Sequence, residues 1–500
     1  MKPGKSINDS LNFVENLYPI YGIYILAFLL WLPSYQFQLS SDAVSYLSIA
    51  RYYSEANWGA AINGFWSPLF SILLTPAYWF KIDPALFARC LNGVMGLICL
   101  WKLNSLLKLL KLLTDESYAI LIASIPLFCW YALMIISPDL LVVCTCLYYV
   151  GFWLKDDAPL HHLAIIILAG YFSKTYLLPI LLLHTLLTLV SGKRKYAQFK
   201  QQQLLFFLLI LAVGIGSWGI LLFEKYEIWT LGFSGVYNWR LVGELPLKQP
   251  YDMGNLVAPV HAEAISMWED PSSFLPTKWS ILERPMHLFI LLADNLGDFF
   301  MGKGFGMLNM LALVGSLSYG LLKRNEPKHS FLLSFFWLFP LGYWLIVPEQ
   351  RYVWINHLLS PILIYMLGDF LLRKYHALRK IIFVFAIFIM CFVPLSRLWV
   401  HADQGVKAYR QGQMIQELIP VGSSYATDQD WGVHLYLAYY GELTYWGRIE
   451  AKNLVELEEA LVKENIQYFA GQTDQPYEFT HYQLVPNSEK LGFGLYKKGE

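Results

Sequence analysis

The sequence predicts an all-α polytopic membrane protein with about eleven transmembrane helices, interfacial helices in its outer loops and a small C-terminal α/β domain. Three observations lead there. Only 15% of the residues are charged while 56% are hydrophobic and 17% aromatic, and an ordinary soluble domain carries about 25% charged residues. Uncharged runs at residues 17–33, 203–223, 304–322 and 329–347 approach the length that crosses ~30 Å of hydrocarbon at ~1.5 Å per helical residue. Residues 399–500 break the pattern: they are polar and alternate a helical run with strand-like ones.

The elements follow in order. Apolar helices are expected near 17–34, 84–107, 117–136, 138–154, 161–173, 175–191, 203–223, 304–322, 329–347, 352–372 and 380–398. Lys2 and Lys5 precede the first, as in a signal sequence. Leu32-Pro33-Ser34-Tyr35 offers no small-x-small cleavage site, so it reads as a retained helix. With the N-terminus inside and the C-terminus outside, the inner connections hold most of the basic residues. These are Lys102, Lys108 and Lys111; Lys155; Lys193, Arg194, Lys195 and Lys200; Lys323, Arg324 and Lys328; and Arg373, Lys374, Arg379 and Lys380. The short outer turns hold Lys174 and Arg351, as the positive-inside rule requires. This makes 1–398 a transmembrane domain and 399–500 an extracytoplasmic one.

Two outer loops are long. In the first, about 35–83, residues 66–80 are apolar but too short to cross, so they read as a helix lying in or dipping into the interface. In the second, about 224–303, residues 286–301 set Asp294 and Asp298 against Leu, Ile and Phe, a pattern that suits a helix on the membrane surface. In the tail, 453–464 reads as a helix, and 423–427, 466–470 and 493–497 as strands.

Several classes of chemistry are excluded. Net charge is zero, which removes the electrostatic basis for nucleic-acid binding. No phosphate-cradling P-loop and no His-Glu-x-x-His helix occurs, and Gly302-Lys303-Gly304-Phe305-Gly306 lacks a preceding strand. Cys90, Cys99, Cys129, Cys144, Cys146 and Cys391 all fall in apolar segments and read as small packing residues rather than disulfide or metal positions. His161-His162 sits in a charged inner turn. Neither a metal nor a cofactor is expected. Without a nucleotide site, a donor dissolved in the bilayer is favoured over a soluble nucleotide sugar.

The residues that could carry chemistry cluster at one membrane face. Asp42 follows the first span, and a carboxylate there can take the proton of an acceptor hydroxyl or amine. The plainer reading is a helix N-cap. Asp139, after Ser137-Pro138, reads as a second carboxylate that orients the acceptor or, equally, as a cap. Lys174 interrupts two apolar runs, and near mid-helix it costs roughly 2.5–3.5 kcal/mol. It either snorkels at a helix break or meets an anionic lipid phosphate. Glu349-Gln350-Arg351-Tyr352 ends a span; Arg351 offers a fork of donors suited to phosphate oxygens, or forms a surface pair with Glu349. Arg51 and Arg240 are further outer-loop cations with weaker claims.

Asp42-Ala43 with Tyr46, Asn63-Gly64 with Trp66-Ser67-Pro68-Leu69, the outer Pro138-Asp139, Lys174 in a broken helix pair and Arg351-Tyr352 together resemble the GT-C membrane glycosyltransferases. The nearest branch is that of the protein O-mannosyltransferases and the lipid A aminoarabinose transferase. The resemblance covers roughly 15–398 and not the tail. It implies a polyprenyl-phosphate-sugar donor, an inverting displacement and Asp42 as the catalytic acid residue, with Asp139 beside it. Lys174 and Arg351 would bind the donor phosphate, and Tyr46, Trp66, Glu349 and Tyr352 would line the substrate. Ala43, Val44 and Ser45 stand where that branch carries a further acidic or basic residue.

The expected activity is therefore a hexosyl- or pentosyltransferase of a bacterial inner membrane. Its site and tail would face the periplasm, and it would act on a lipid, glycan or protein acceptor. A transporter or flippase of a lipid-linked saccharide is the rival. It would more naturally show internal repeats and acids near the bilayer midplane. A scaffold role would account for the tail but not for Asp42.

Overall fold

The computed structural model describes residues 17–155, 159–190, 201–242, 250–275, 280, 282–302, 304–321, 326–346, 349–472 and 477–499. Lys2, Lys5, Lys193, Arg194, Lys195, Lys200, Lys303, Lys323 and Arg324 lie outside the described residues.

Helices occupy every position expected to span. They are α1 (Tyr18–Tyr35), α4 (Pro84–Leu109), α5 (Thr114–Met134), α6 (Asp139–Leu154), α7 (Leu160–Ser173), α8 (Leu177–Val190), α9 (Gln201–Tyr226), α12 (Gly306–Leu321), α13 (Pro327–Leu338), α14 (Trp354–Leu371) and α15 (His376–Val400). Between them lie α2 (Ser41–Ser54), α3 (Pro68–Trp79), α10 (Ser234–Val242) and α11 (Pro285–Met301). Among the described residues six helices are long and apolar enough to cross a membrane. α6, α7 and α8 are shorter apolar helices, and α11 with α12 passes the same test as one bent pair, which would make seven.

Burial separates two kinds of apolar helix. α6 is buried along almost its whole length, because a helix apolar on every side is satisfied only inside a bundle or in lipid. It packs on α4 and α7. α9 is the reverse: Leu204, Leu205, Phe206, Leu208, Leu209 and Val213 are all exposed, and they face where lipid would be. Cys90 is likewise exposed and is not the core residue the sequence suggested. Cys99, Cys129, Cys144 and Cys146 are buried and unpaired.

The short apolar segment of the first loop is α3. Its twelve residues span only ~18 Å. Phe70, Ser71 and Leu74 are buried against α2, and Ser71 Oγ donates to the Tyr46 carbonyl at 3.0 Å. α3 therefore braces the helix that carries Asp42.

The tail forms α16 (Gln404–Leu418), α17 (Trp431–Tyr440), α18 (Leu454–Lys463) and a five-stranded sheet in the order β2-β1-β3-β5-β4. Its strands are β1 (Ser424–Thr427), β2 (Thr444–Arg448), β3 (Tyr468–Gly471), β4 (Tyr482–Leu484) and β5 (Gly494–Lys498). β1 runs parallel to β2 and β3, and β5 antiparallel to β3 and β4. The tail is seated on the first loop. A Cβ added to Gly405 would stand 2.4 Å from the Phe37 and Gln38 backbone, so α16 meets the α1–α2 turn main chain to main chain. The Tyr440 hydroxyl donates to the Phe37 carbonyl at 2.8 Å. The second loop is laced to β2: Val257 N–H reaches the Trp446 carbonyl at 2.9 Å and Tyr445 N–H the Ile265 carbonyl at 2.6 Å.

Candidate active site

Local chemistry places each charged side chain. α2 is capped by Ser40, whose side chain accepts from Ala43 N–H at 3.2 Å. Asp42 sits in the first turn, where a negative charge suits the helix dipole, and its carboxylate caps nothing. The N-cap reading of Asp42 is therefore set aside. The same holds for Asp139: Pro138 occupies the N-cap position of α6 without a side-chain cap bond. Asp139 instead accepts from Ser137 Oγ at 2.8 Å.

Lys174 ends α7 in extended conformation, with φ −157°. Gly170, one turn earlier, accepts from Lys174 N–H at 2.8 Å and leaves room for Leu177 and Leu181, which a Cβ would crowd at 3.1–3.3 Å. This tight break swings Lys174 inward, its Nζ 2.7 Å from Asp139 Oδ1 and 3.7 Å from the Tyr352 ring centroid. Arg351 comes from a 3-10 turn, Gln350–Val353, that leads into α14. Its Nη2 is 2.7 Å from Asp42 Oδ2, and its Nε is 2.7 Å from Glu349 Oε2 and 3.8 Å from Asp139 Oδ2. The Nε contacts are ion pairs without hydrogen-bond alignment.

These side chains meet in one cavity of about 570 Å³. Asp42, Tyr46, Trp66, Asp139, Lys174, Arg351 and Tyr352 all line it. Glu349 does not. It is half-exposed behind Arg351. Arg51 and Arg240 do not line it either. Arg51 instead donates to the Glu263 carbonyl at 2.9 Å. The cavity has two characters. One end holds the two carboxylates and two cations. Leu178, Pro179 and Leu182 of α8, with Leu231 and Val236, form an apolar wall. The polar end is floored by aromatic contacts: Tyr46 meets Trp66 edge-on at 5.0 Å, and Tyr343 stacks on Tyr352 at 4.8 Å.

Sequence reasoning missed Trp268. Its indole N–H points to Asp42 Oδ1 at 3.4 Å, a long contact. Its carbonyl accepts from Ser45 Oγ at 2.8 Å and from Trp66 Nε1 at 3.0 Å. Its ring lies 6.1 Å from Trp431 of the tail. One residue ties the second loop, α2 and the tail together. Ser137, Thr175 and Tyr176 also line the cavity; Thr175 N–H donates to Ser67 Oγ at 3.1 Å.

Glu269, beside Trp268, anchors this clasp. Its carboxyl accepts from the Tyr52 hydroxyl at 2.7 Å and from Ile265 N–H at 2.9 Å. Its carbonyl accepts from Asn63 Nδ2 at 2.6 Å. Burial raises its pKa to about 7, against the bonds from Tyr52 and Ile265 that lower it. The native state thus holds a proton that the unfolded chain releases near pH 4.3. The stabilisation is complete below about 4.3 and is lost as pH rises through about 7. It is on the order of 3 kcal/mol. Thermal unfolding across pH 5–8 is expected to show a falling slope that Glu269→Gln flattens. An unchanged slope in that variant would place the titration elsewhere.

Among the described residues no group of three or more His, Cys, Asp or Glu side chains is arranged to hold a metal ion. His161 and His162 pack ring to ring at 4.5 Å at the end of α7 away from Lys174.

No family model matches the sequence, and no curated protein matches it. Among solved structures, the chain is similar to ArnT from Cupriavidus metallidurans bound to undecaprenyl phosphate. The TM-score is 0.44 at 13% identity, over 95% of this chain and 97% of that one. It is also similar to ArnT of the same organism in the apo state, with TM-score 0.39 and 12% identity over 95% and 97%. Against the arabinofuranosyltransferase AftD from Mycobacteria the values are 0.42 and 11%, over 96% of this chain and 40% of that one.

Proposed function

We propose that the protein is an integral membrane glycosyltransferase that moves a sugar from a polyprenyl-phosphate carrier to an acceptor at the outer face. One observation carries this reading. A single cavity joins a paired carboxylate–cation end, Asp42 and Asp139 with Arg351 and Lys174, to an apolar wall on α8. A lipid-linked phosphate needs both: cations for its oxygens and an apolar surface for its chain.

The proposed chemistry uses these side chains in turn. The donor phosphate competes with Asp42 for the Arg351 guanidinium, so donor binding uncovers the carboxylate. Asp42 then takes the proton of the acceptor hydroxyl as its oxygen forms a bond to the anomeric carbon. The bond from that carbon to the phosphate oxygen breaks, and its electron pair leaves with the phosphate, whose growing charge Arg351 and Lys174 meet. Attack from the side opposite the leaving phosphate inverts the anomeric centre. Asp139 holds Lys174 in place and takes no proton in this scheme.

The test is a donor panel. Protein reconstituted in liposomes is given labelled polyprenyl-phosphate sugars, hexoses and pentoses separately, with lipid and glycan acceptors. Release of label from at least one donor, to acceptor or to water, is the expected result. Intact donors throughout, or transfer from a nucleotide sugar, would overturn the reading. Movement of intact donor across the bilayer without cleavage would instead support the flippase.

A further inference from the structure

The end of the bundle opposite Asp42 holds a second cavity, of about 480 Å³, between α4, α6 and α7. α6 sets the separation. Asp139 opens that helix in the first cavity, and Lys155, its C-cap, lies in the second. Sixteen residues of helix put ~24 Å between them, so one headgroup cannot occupy both.

The second cavity is an apolar trough with a cationic rim. Leu106, Leu147, Ile165 and Ile166 line the trough, and Lys102, Lys155 and His162 the rim. The Lys102 ammonium lies 3.8 Å from the Tyr148 ring centroid and 4.1 Å from that of Trp101. Two ring faces therefore hold this charge at the edge of the trough, where a snorkelling lysine would extend toward water. Gly151 lines the same cavity, and a Cβ added there meets nothing within 4 Å. A glycine inside a helix costs stability relative to alanine, and here its missing side chain leaves the trough open. Asp156 and Asp157 follow Lys155 in the sequence and lie outside the described residues.

We propose that this groove binds a membrane phospholipid, its phosphate on Lys102 and Lys155 and an acyl chain along the trough. Basic pockets between membrane helices take anionic headgroups in this way, and Trp101 and Tyr148 are the aromatic types found at the headgroup level. The site is independent of the transfer reaction.

Native mass spectrometry of delipidated full-length protein, titrated with phosphatidylglycerol, phosphatidylcholine and inorganic phosphate, tests it. Phosphatidylglycerol should bind more tightly than phosphatidylcholine. The double variant Lys102→Gln/Lys155→Gln should weaken phosphatidylglycerol by about 30-fold. Gly151→Leu, which favours helix and fills the trough, should weaken both lipids with helicity unchanged. If Gly151→Leu fails to fold, the lysine pair still decides. Equal binding of the two lipids with the lysine variant unaffected would overturn the proposal. Displacement of phosphatidylglycerol by inorganic phosphate would assign the rim to a soluble phosphate and overturn the lipid.

Discussion

Asp42→Asn is expected to reduce transfer from a polyprenyl-phosphate sugar by about 10²–10⁴-fold, the usual loss when a general base is removed. The amide keeps the size of the side chain and loses only its basicity. Because Ser40, and not Asp42, caps α2, the substitution costs the helix no cap bond. Arg351 keeps Glu349 at 2.7 Å and Asp139 at 3.8 Å as counter-charges, so insertion and expression should persist. Asp42→Ala should match Asp42→Asn in activity. The measurement is initial rate in liposomes beside thermal unfolding of the same preparations. Near-normal transfer by Asp42→Asn would remove Asp42 from the chemistry.

Asp139→Ala is expected to be the most destabilising single change at the site, by about 3 kcal/mol, the lower end for breaking a buried pair, because it strands the Lys174 charge, whose side chain is 22% exposed. Asp139 has a side-chain exposure of 3% and is the carboxylate bonded to Lys174. Its loss leaves the Lys174 ammonium facing the Arg351 guanidinium with no acid between them. The companion variant Asp139→Leu/Lys174→Met removes both members, and replacing a whole buried pair by apolar residues is often near neutral. Thermal unfolding in one detergent should therefore show a large drop for Asp139→Ala and a recovery for the double variant. A drop of equal size in both would mean that packing around Ser137, and not charge compensation, holds the site together.

The convergence of Asp42, Asp139, Lys174 and Arg351 was legible because each stands at the end of an apolar run, and helix ends of alternating direction share a membrane face. Which cation meets which acid was not legible. That depends on the rotation of α6 and the inward swing at Lys174, set by Gly170 packing. Trp268 left no signal at all: it lies in short 3-10 turns without periodicity, between loops far apart in sequence. The helix positions were readable from apolar runs. Burial was not readable in the same way: α6, α7 and α8 are all short and apolar, yet α6 is buried by its neighbours along almost its whole length. In the tail, β1, β3 and β5 were foreseen. β2 was not, because Gly447 at φ +103° interrupts its pattern, and β4 has three residues.

The location of the donor tests the central claim most directly. A polyprenyl phosphate carrying a photoreactive group near its first isoprene units, irradiated with the protein in membranes, reports its own path. Crosslinked peptides are expected to contain Leu178, Pro179 and Leu182 or Leu231 to Val236, the apolar wall beside Lys174 and Arg351, and to fade when unlabelled carrier is added. Crosslinks confined to the opposite end, around Leu147 to Ile166, or unaffected by competing carrier, would contradict the account.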